Sequence, residues 1–472
     1  MTGHDAQTYF LVALRIWGAQ APPSPTVSRV APPATLDQSA LAGGFGGGSP
    51  SEGSVTGYWR GWRVRTALRT SRAREGDIAD EPRLFESELN LDFTWSEEEQ
   101  ALRAELRSFI DESLMPGWTH LDRDLPDQAT LEASLEFCRG LAQHGLLAPA
   151  WPVEHGGRGS SKWAQVVTSE ELRSIGEPRG PQYTNVNWIG QAIMQLGTPQ
   201  QQEKYLAEMC RGESMWCQGF SEPDAGSDLS ALRTSAERDG DDYIVNGQKI
   251  WTSYAHVATT CFLLVRTGQD KNPRRGISIL LVPMDSEGIE VREIPSLGIH
   301  HMLHEVFFHD VRVPVSCRLG GENEGWNIIR VLLANERTQV SAHEQVDRGL
   351  NDLVHEAIEA GVDTDDPRFW ESLGRAASFS SASRVLNYVA IQSWVDGTAD
   401  YPNLASVYKA SGSEMGAEAS RAHIDVLGTA ALLETARGDH QLIAALEAGI
   451  GGGSAEMQLN NIALHVLGLP KG

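Results

Sequence analysis

The sequence predicts an α+β protein, with a β-domain held between two helical parts. Three observations carry that prediction. Apolar residues recur at helical spacing from Leu102 onward, the period shortens to two between Met215 and Gly320, and helical spacing returns after Gly325. No internal repeat accounts for this order, and a lone helical bundle is excluded.

At 472 residues the chain has ample material for a large buried core. Its formal charge of −24 repels nucleic acid and anionic membrane surfaces, so neither is expected as a partner. The 5 cysteines are an odd number without C-x-x-C spacing, which argues against a disulfide framework or a zinc site and for a reducing, cytoplasmic setting. The apolar stretch nearest to a membrane span or secretory signal is Tyr9–Trp17. It is short, carries Arg15 and lacks a basic segment before it, so neither reading holds.

Residues 1–88 differ in texture from the rest. They contain Pro-rich Ala21–Pro33, Gly-rich Gly43–Gly48 and the arginines Arg60, Arg63, Arg65, Arg69, Arg72 and Arg74. Composition of this kind does not bury enough apolar surface to fold alone, so a disordered extension is expected. A transit peptide, a basic interaction arm or upstream sequence from a misplaced start would each fit. The preference for Arg over Lys along the whole chain, a habit of GC-rich bacterial genomes, favours the last.

Residues 89–214 are expected to form a helical domain. Ser96-Glu-Glu-Glu99 is a capping-box arrangement, and Leu102, Leu106, Phe109, Ile110 and Leu114 follow at helical spacing. Leu131–His144 reads as a second helix closed by Gly145, and a loop is expected at Trp151–Ser161. Residues 215–320 read as the β-domain. Its strongest local signal is Asn246-Gly247 between strand-like runs, which predicts a hairpin turn. Ile277–Val282, Ile289–Ile294 and Val306–Val313 supply further strands, and residues 321–472 are helical again.

The densest chemistry lies in Trp216-Cys-Gln-Gly-Phe-Ser-Glu-Pro-Asp-Ala-Gly-Ser-Asp228. Ser221, Pro223, Asp224, Gly226, Ser227 and Asp228 are turn formers, so this is a loop whose glycine and hydroxyls allow close approach to an anion or a ring. A plain entry turn of the β-domain would carry the same residues. Downstream, Lys249-Ile-Trp-Thr-Ser253 sets an aromatic plane beside two hydroxyls, which suits a flat heteroaromatic cofactor but also a surface-packed Trp.

These runs resemble the acyl-CoA dehydrogenase family, and in its order. Trp151-Pro-Val-Glu-His-Gly-Gly157, Gly197-Thr-Pro-Gln-Gln-Gln-Glu-Lys-Tyr-Leu206, the run at 216–228, Gly247-Gln-Lys-Ile-Trp-Thr-Ser253, Val306-Phe-Phe-His-Asp-Val-Arg-Val-Pro314, Gly325-Trp326 and Gly451-Gly-Gly-Ser-Ala-Glu-Met-Gln458 all look like its landmarks. The resemblance implies a helical N-terminal domain, a central β-domain and a C-terminal four-helix bundle, with FAD between the last two. It implies that Gln218, Phe220, Ser221, Trp251 and Ser253 line the flavin, that Ser227 serves both FAD and the acyl-CoA, and that Ser454 and Glu456 belong to the segment meeting the adenosine end. An electron-transfer flavoprotein is the implied acceptor.

The family places its base at one of two positions. One is Gly452 here, which has no side chain. The other is Glu336 in Leu332-Leu-Ala-Asn-Glu-Arg337, with Arg337 beside it as a substrate-binding residue. Leu332, Leu333 and Val340 lie three or four residues from Glu336, so the carboxyl shares an apolar stripe, where burial raises a carboxyl pKa toward that of a general base. A helix glutamate paired with a cation would look the same locally. Glu222 reads as a turn residue or backbone acceptor, and His300, His301 and His304 read as solvated loop histidines. Two departures stand out: the family's Arg-x-x-Phe-Gly segment has no counterpart in 355–374, and the arginine often found in the closing segment is Leu459. Both resemble the heteromeric members that act on steroid side chains, so a homo-oligomer or an unlike partner subunit is expected. A flavin oxidase or monooxygenase on the same fold, and a non-catalytic subunit, are the competing readings.

Overall fold

The computed structural model describes residues 94–115, 118, 128–296, 302–339, 341–432 and 445–470. The arginine-bearing extension at 1–88, His300, His301 and Val340 lie outside them. The helical part holds α1 (Glu97–Ser113), α2 (Gln128–Gln143), α3 (Lys162–Ser174), the continuous run α4 (Gln182–Thr184, Asn185–Ile189, Gly190–Leu196) and the run α5 (Pro199–Gln201, Gln202–Leu206, Ala207–Cys210). The capping box at the start of α1 is formed: Glu99 N donates to Ser96 Oγ at 3.3 Å, and Ser96 N donates to Glu99 Oε2 at 2.9 Å. Leu106, Leu141, Leu172 and Leu206 are buried in a common core. Trp151 is buried beneath α4, its Nε1 donating to Val186 O at 3.0 Å.

The sheet contains β1 (Trp216–Gly219), β2 (Ser235–Asp239), β3 (Asp242–Ser253), β4 (Thr260–Arg266), β5 (Ile277–Pro283), β6 (Ile289–Glu293), β7 (Leu303–Pro314) and β8 (Arg318–Leu319). Its order is β6-β7-β3-β2-β4-β5-β8, with β1 parallel to β4. β4 and β5 are buried on both faces. Phe262 and Leu264 join the core shared with the helices, while Cys261, Leu263 and Val265 join a second core inside the sheet, with Tyr243, Val245, Val306 and Phe308.

The expected Asn246-Gly247 hairpin is corrected. The β2–β3 turn is at Gly240-Asp241, between the paired Asp239 and Asp242, and β3 runs straight through Asn246-Gly247. The dipeptide marks a bulge instead. Asn246 faces Asp310, donating from Nδ2 to Oδ1 and accepting from Asp310 N, both at 2.9 Å. Gly247, at φ 151, packs so tightly that a Cβ there would lie 2.6 Å from Thr234 Cα. The Asn-Gly signal was outweighed by close approach of another backbone, the second reason a strand carries glycine.

β3 and β7 in fact carry two bulges of opposite sense. Val245 pairs with Val311 and Gly247 with Phe308, so β7 has the extra residue; Lys249 pairs with Val306 and Thr252 with His304, so β3 has the extra residue. His304 is not a solvated loop histidine. It is buried in β7 and stacked on His256 at 4.5 Å between ring centroids.

The chain then returns to helices α6 (Gly325–Thr338), α7 (Ala342–Glu359), α8 (Pro367–Val395), α9 (Tyr401–Leu427) and α10 (Ala455–Asn461). α6 and α7 form the first arm of a four-helix bundle; α6 ends at Thr338, and Ser341, at φ 51, precedes α7. Val340, expected to continue the stripe from Glu336, lies outside the described residues. Leu353, Phe369, Leu373, Met415 and Ala419 pack the bundle core. A buried polar cluster ties bundle to N-terminal helices: Tyr388 Oη donates to Glu170 Oε1 at 2.6 Å, Arg103 pairs with Glu170 at 2.8 Å and Arg384 with Glu344 at 2.9 Å. Among the described residues no helix is long and apolar enough to cross a membrane.

Candidate functional site

The site has a sheet side and a bundle side. On the sheet side, β1 delivers Gln218 and then runs into the 220–228 turn. That turn is fastened to β3: Ile250 N donates to Ser221 O at 2.9 Å, and Lys249 Nζ donates to Phe220 O at 3.1 Å. Lys249 Nζ also meets Glu222 Oε1 at 2.8 Å, and the Glu222 carboxylate accepts from Arg233 N at 2.6 Å and Thr234 N at 2.9 Å. Burial alone would push the Glu222 carboxyl up, but Lys249 and the donors around it hold it below the usual range. Burial pushes Lys249 down, with Glu222 opposing. Glu222 is thus the backbone acceptor the sequence indicates, and Lys249 is its unforeseen partner. A signal existed: Lys249 has the inward parity of Tyr243 and Val245 on β3.

The bulge in β3 ejects Trp251. Its φ is 60 and it is 55% exposed, so a bulky residue is held in left-handed backbone to present its indole to the surface. Such strain costs of order 1–3 kcal/mol and gathers at functional sites. Beside it, Thr252 is buried with its Oγ1 unpartnered, and Ser253 is half-buried at the strand end opposite Leu303. Ser227 is exposed on the turn.

On the bundle side, the end of α6 is fixed by side-chain hydrogen bonds. Asn335 Nδ2 donates to Gln191 Oε1 at 3.0 Å, Tyr401 Oη donates to Asn335 Oδ1 at 2.9 Å, and Thr338 Oγ1 meets Tyr401 Oη at 2.7 Å. This places Glu336 with its Oε2 sealed from solvent and without a hydrogen-bond partner. Burial pushes the Glu336 carboxyl up, and Arg337, Lys409 and the Gln218 side chain only partly oppose it. Gln218 Nε2 is itself buried and unpartnered, so two complementary polar groups face the same space from β1 and α6.

Arg337 reaches the same segment: its Nε donates to Gly452 O at 3.1 Å. A Cβ on Gly452 would stand 3.3 Å from Glu336 Oε1 and 3.7 Å from Lys409 Cε. Positions 336 and 452, far apart in sequence, therefore converge on one space. Ser454 caps α10, accepting from Met457 N at 3.3 Å, and Glu456 is exposed in its first turn. The structure thus brings Phe220, Ser221, Trp251 and Ser253 together on the sheet, and Glu336, Arg337 and Gly452 together on the bundle. Gln218 joins the two sides; Ser227, Ser454 and Glu456 stand at the margins. Lys409 was missed by sequence reasoning, although it shares a face of α9 with buried Ala405 and Ser413.

Family models cover most of the described chain: acyl-CoA dehydrogenase, N-terminal domain, over residues 96–213, middle domain over 217–311 and C-terminal domain over 323–467. The chain is 34% identical to acyl-CoA dehydrogenase IpdE1 of Mycolicibacterium smegmatis, over 79% of this chain and 98% of that protein. Among solved structures it is similar to the ChsE4-ChsE5 complex from Mycobacterium tuberculosis, with 31% identity, a TM-score of 0.70, and coverage of 81% of this chain and 100% of the other. The steroid ACAD Tcur3481-Tcur3483 is 30% identical with a TM-score of 0.71, over 81% of this chain and 100% of the other. The exposed indole, the small-residue turn and the unpartnered Gln218 and Thr252 groups are what a flat, polar-edged ring would use, in keeping with the FAD that this family binds. The chain belongs to the acyl-CoA dehydrogenase family of FAD-dependent oxidoreductases.

Proposed function

We propose that Glu336 is the base of an α,β-dehydrogenation of an acyl-CoA thioester, and that electrons leave to an electron-transfer flavoprotein. The observation that carries this reading is the Glu336 carboxyl, its Oε2 buried and unpartnered, raised by burial and facing the space into which position 452 also opens. Phe220, Ser221, Trp251 and Ser253 would hold the flavin ring, Ser227 the pyrophosphate side and the acyl-CoA, and Ser454 with Glu456 the adenosine end. Bound FAD supplies the acceptor for the β-hydride. Glu336 takes the α-proton: its desolvated carboxylate is basic enough to act on a weakly acidic carbon, and the enclosed setting excludes water. Arg337 closes the Gly452 backbone against the end of α6 and flanks the substrate.

A second reading is supported by Leu459, by the missing Arg-x-x-Phe-Gly segment and by the likeness to the ChsE4-ChsE5 complex. In it the flavin site is completed by an unlike subunit. Purification separates the readings. A yellow protein, bleached anaerobically by an acyl-CoA and reoxidised by an electron-transfer flavoprotein, supports the first. A colourless protein that gains flavin only with a co-expressed subunit supports the second. Rapid oxygen consumption during turnover would instead mark an oxidase and overturn the proposed acceptor.

A further inference from the structure

Lysine is scarce in this chain, and two of its lysines, Lys249 and Lys409, are withdrawn from the surface at the two sides of the site. Lys249 has a carboxylate partner in direct contact; Lys409 is in no ion pair among the described residues. Its Nζ donates instead to Ala448 O at 2.8 Å, and Ser413 Oγ donates to the same carbonyl at 2.9 Å. Ala405, Ser413 and Gly416 lie on its face of α9, and a Cβ on Gly416 would lie 3.6 Å from Ala445 Cα. Lys409 is therefore the one long side chain in a strip of small residues against which the 445–453 segment packs.

That segment runs past the base. Lys409 and Ser413 hold it at Ala448, and Arg337 holds it at Gly452, where φ is 64. Between these fastenings, Lys409 Cε and Glu336 Oε1 face each other across one Cβ-sized gap, at 3.7 and 3.3 Å from the point where a Gly452 side chain would begin. The Lys409 charge acts on the carboxylate without a direct ion pair between them.

We propose that Lys409 is a positioning residue for the base, holding an ammonium charge opposite Glu336 while tying down the glycine segment that keeps the gap open. The groups that face Glu336 are Arg337 on its own helix, Gln218 on β1, Tyr183 on α4 and Lys409 on α9, with Glu447 acting on Lys409. Of these, Arg337 and Lys409 favour the carboxylate by charge. Arg337 acts on the carboxylate more strongly while its Nε holds the Gly452 carbonyl, and Lys409 adds a second cation from α9. The effect of the pair is to limit how far burial raises the base.

The proposal rests on Glu336 as base, and the test separates the two claims. Full-length, flavin-loaded wild type, Lys409→Met, Lys409→Arg and Ser413→Ala are compared. The Glu336 carboxyl is titrated by infrared difference spectroscopy, with Glu336→Gln assigning the band, and anaerobic flavin reduction by an acyl-CoA is followed against pH. Lys409→Met is expected to move the carboxyl midpoint up by about one pH unit. Lys409→Arg restores it, and Ser413→Ala, which removes a fastening but no charge, leaves it in place. An unmoved midpoint in Lys409→Met overturns the proposal, as does an equal shift in Ser413→Ala. A midpoint that moves while the acid limb of flavin reduction stays fixed upholds the Lys409 assignment and removes Glu336 from the role of base.

Discussion

Arg337 Nε donates to the Gly452 carbonyl at 3.1 Å, so the residue that follows the proposed base closes the loop that could have carried it. Positions 336 and 452 thus open on one space. This accounts for why a carboxyl at 336 and a glycine at 452 belong together.

Glu336→Gln removes the proton acceptor and keeps the shape. Flavin reduction by an acyl-CoA is expected to fall by roughly 10²–10⁴-fold, with FAD still bound. Stopped-flow bleaching of the flavin absorbance checks this; activity near that of wild type would remove Glu336 from the mechanism.

The same variant has a stability signature. The folded carboxyl is raised, so the contribution of Glu336 to stability is present below the ordinary carboxylate range and is lost as pH rises through its folded value. Glu336→Gln should therefore melt above wild type at about pH 8 and converge with it near about pH 4. Thermal unfolding across that range tests the sign.

Gly452→Ala places a methyl group 3.3 Å from Glu336 Oε1 and asks a side chain to adopt φ 64. A stability loss of about 1 kcal/mol is expected from the backbone, together with slower flavin reduction from the crowded carboxyl. Chemical denaturation and single-turnover kinetics read the two parts separately.

Breaking the buried Lys249–Glu222 pair from one side leaves the other charge stranded. Lys249→Met and Glu222→Gln are each expected to cost about 3–5 kcal/mol, and the double variant less than their sum. A double-mutant cycle by denaturant unfolding checks this, with loss of FAD expected in both singles because the 220–222 turn is unfastened.

Trp251→Gly should separate binding from folding. Glycine relieves the left-handed backbone at φ 60 and removes little buried surface, so stability holds within about 1 kcal/mol. FAD affinity, measured by titration of the apoprotein, is expected to fall at least tenfold; unchanged affinity would detach the indole from the cofactor.

Much of this was legible in the sequence for a physical reason: periodicity records burial. The α1 stripe of Leu102, Leu106, Phe109 and Ile110 and the doubly buried β5 both follow from it. Glu336 stood out because a charge interrupts such a stripe. Asn246-Gly247 misled because glycine answers two different needs, a turn or a close backbone approach, and the Thr234 backbone that decides between them comes from the segment leading into β2. Lys409 and Tyr401 were out of reach because their meaning is a meeting with α6 and with residues near Gly452, and one sequence carries no record of such distances.

The two bulges on β3 and β7 have a further consequence, for how this scaffold tolerates insertions and deletions. Residue pairs from Asp242↔Pro314 to Val245↔Val311 keep one register, the pairs from Gly247↔Phe308 to Lys249↔Val306 slip by one, and Thr252↔His304 returns to the first. The slips cancel. Deleting one residue from either bulge alone would leave the rest of the ladder out of step, exchanging the inward Thr252 or Val306 for a neighbour meant for solvent. Deleting one from each would restore pairing and yield a regular ribbon that no longer thrusts Trp251 outward. The two irregularities form a single heritable unit, lost or kept together.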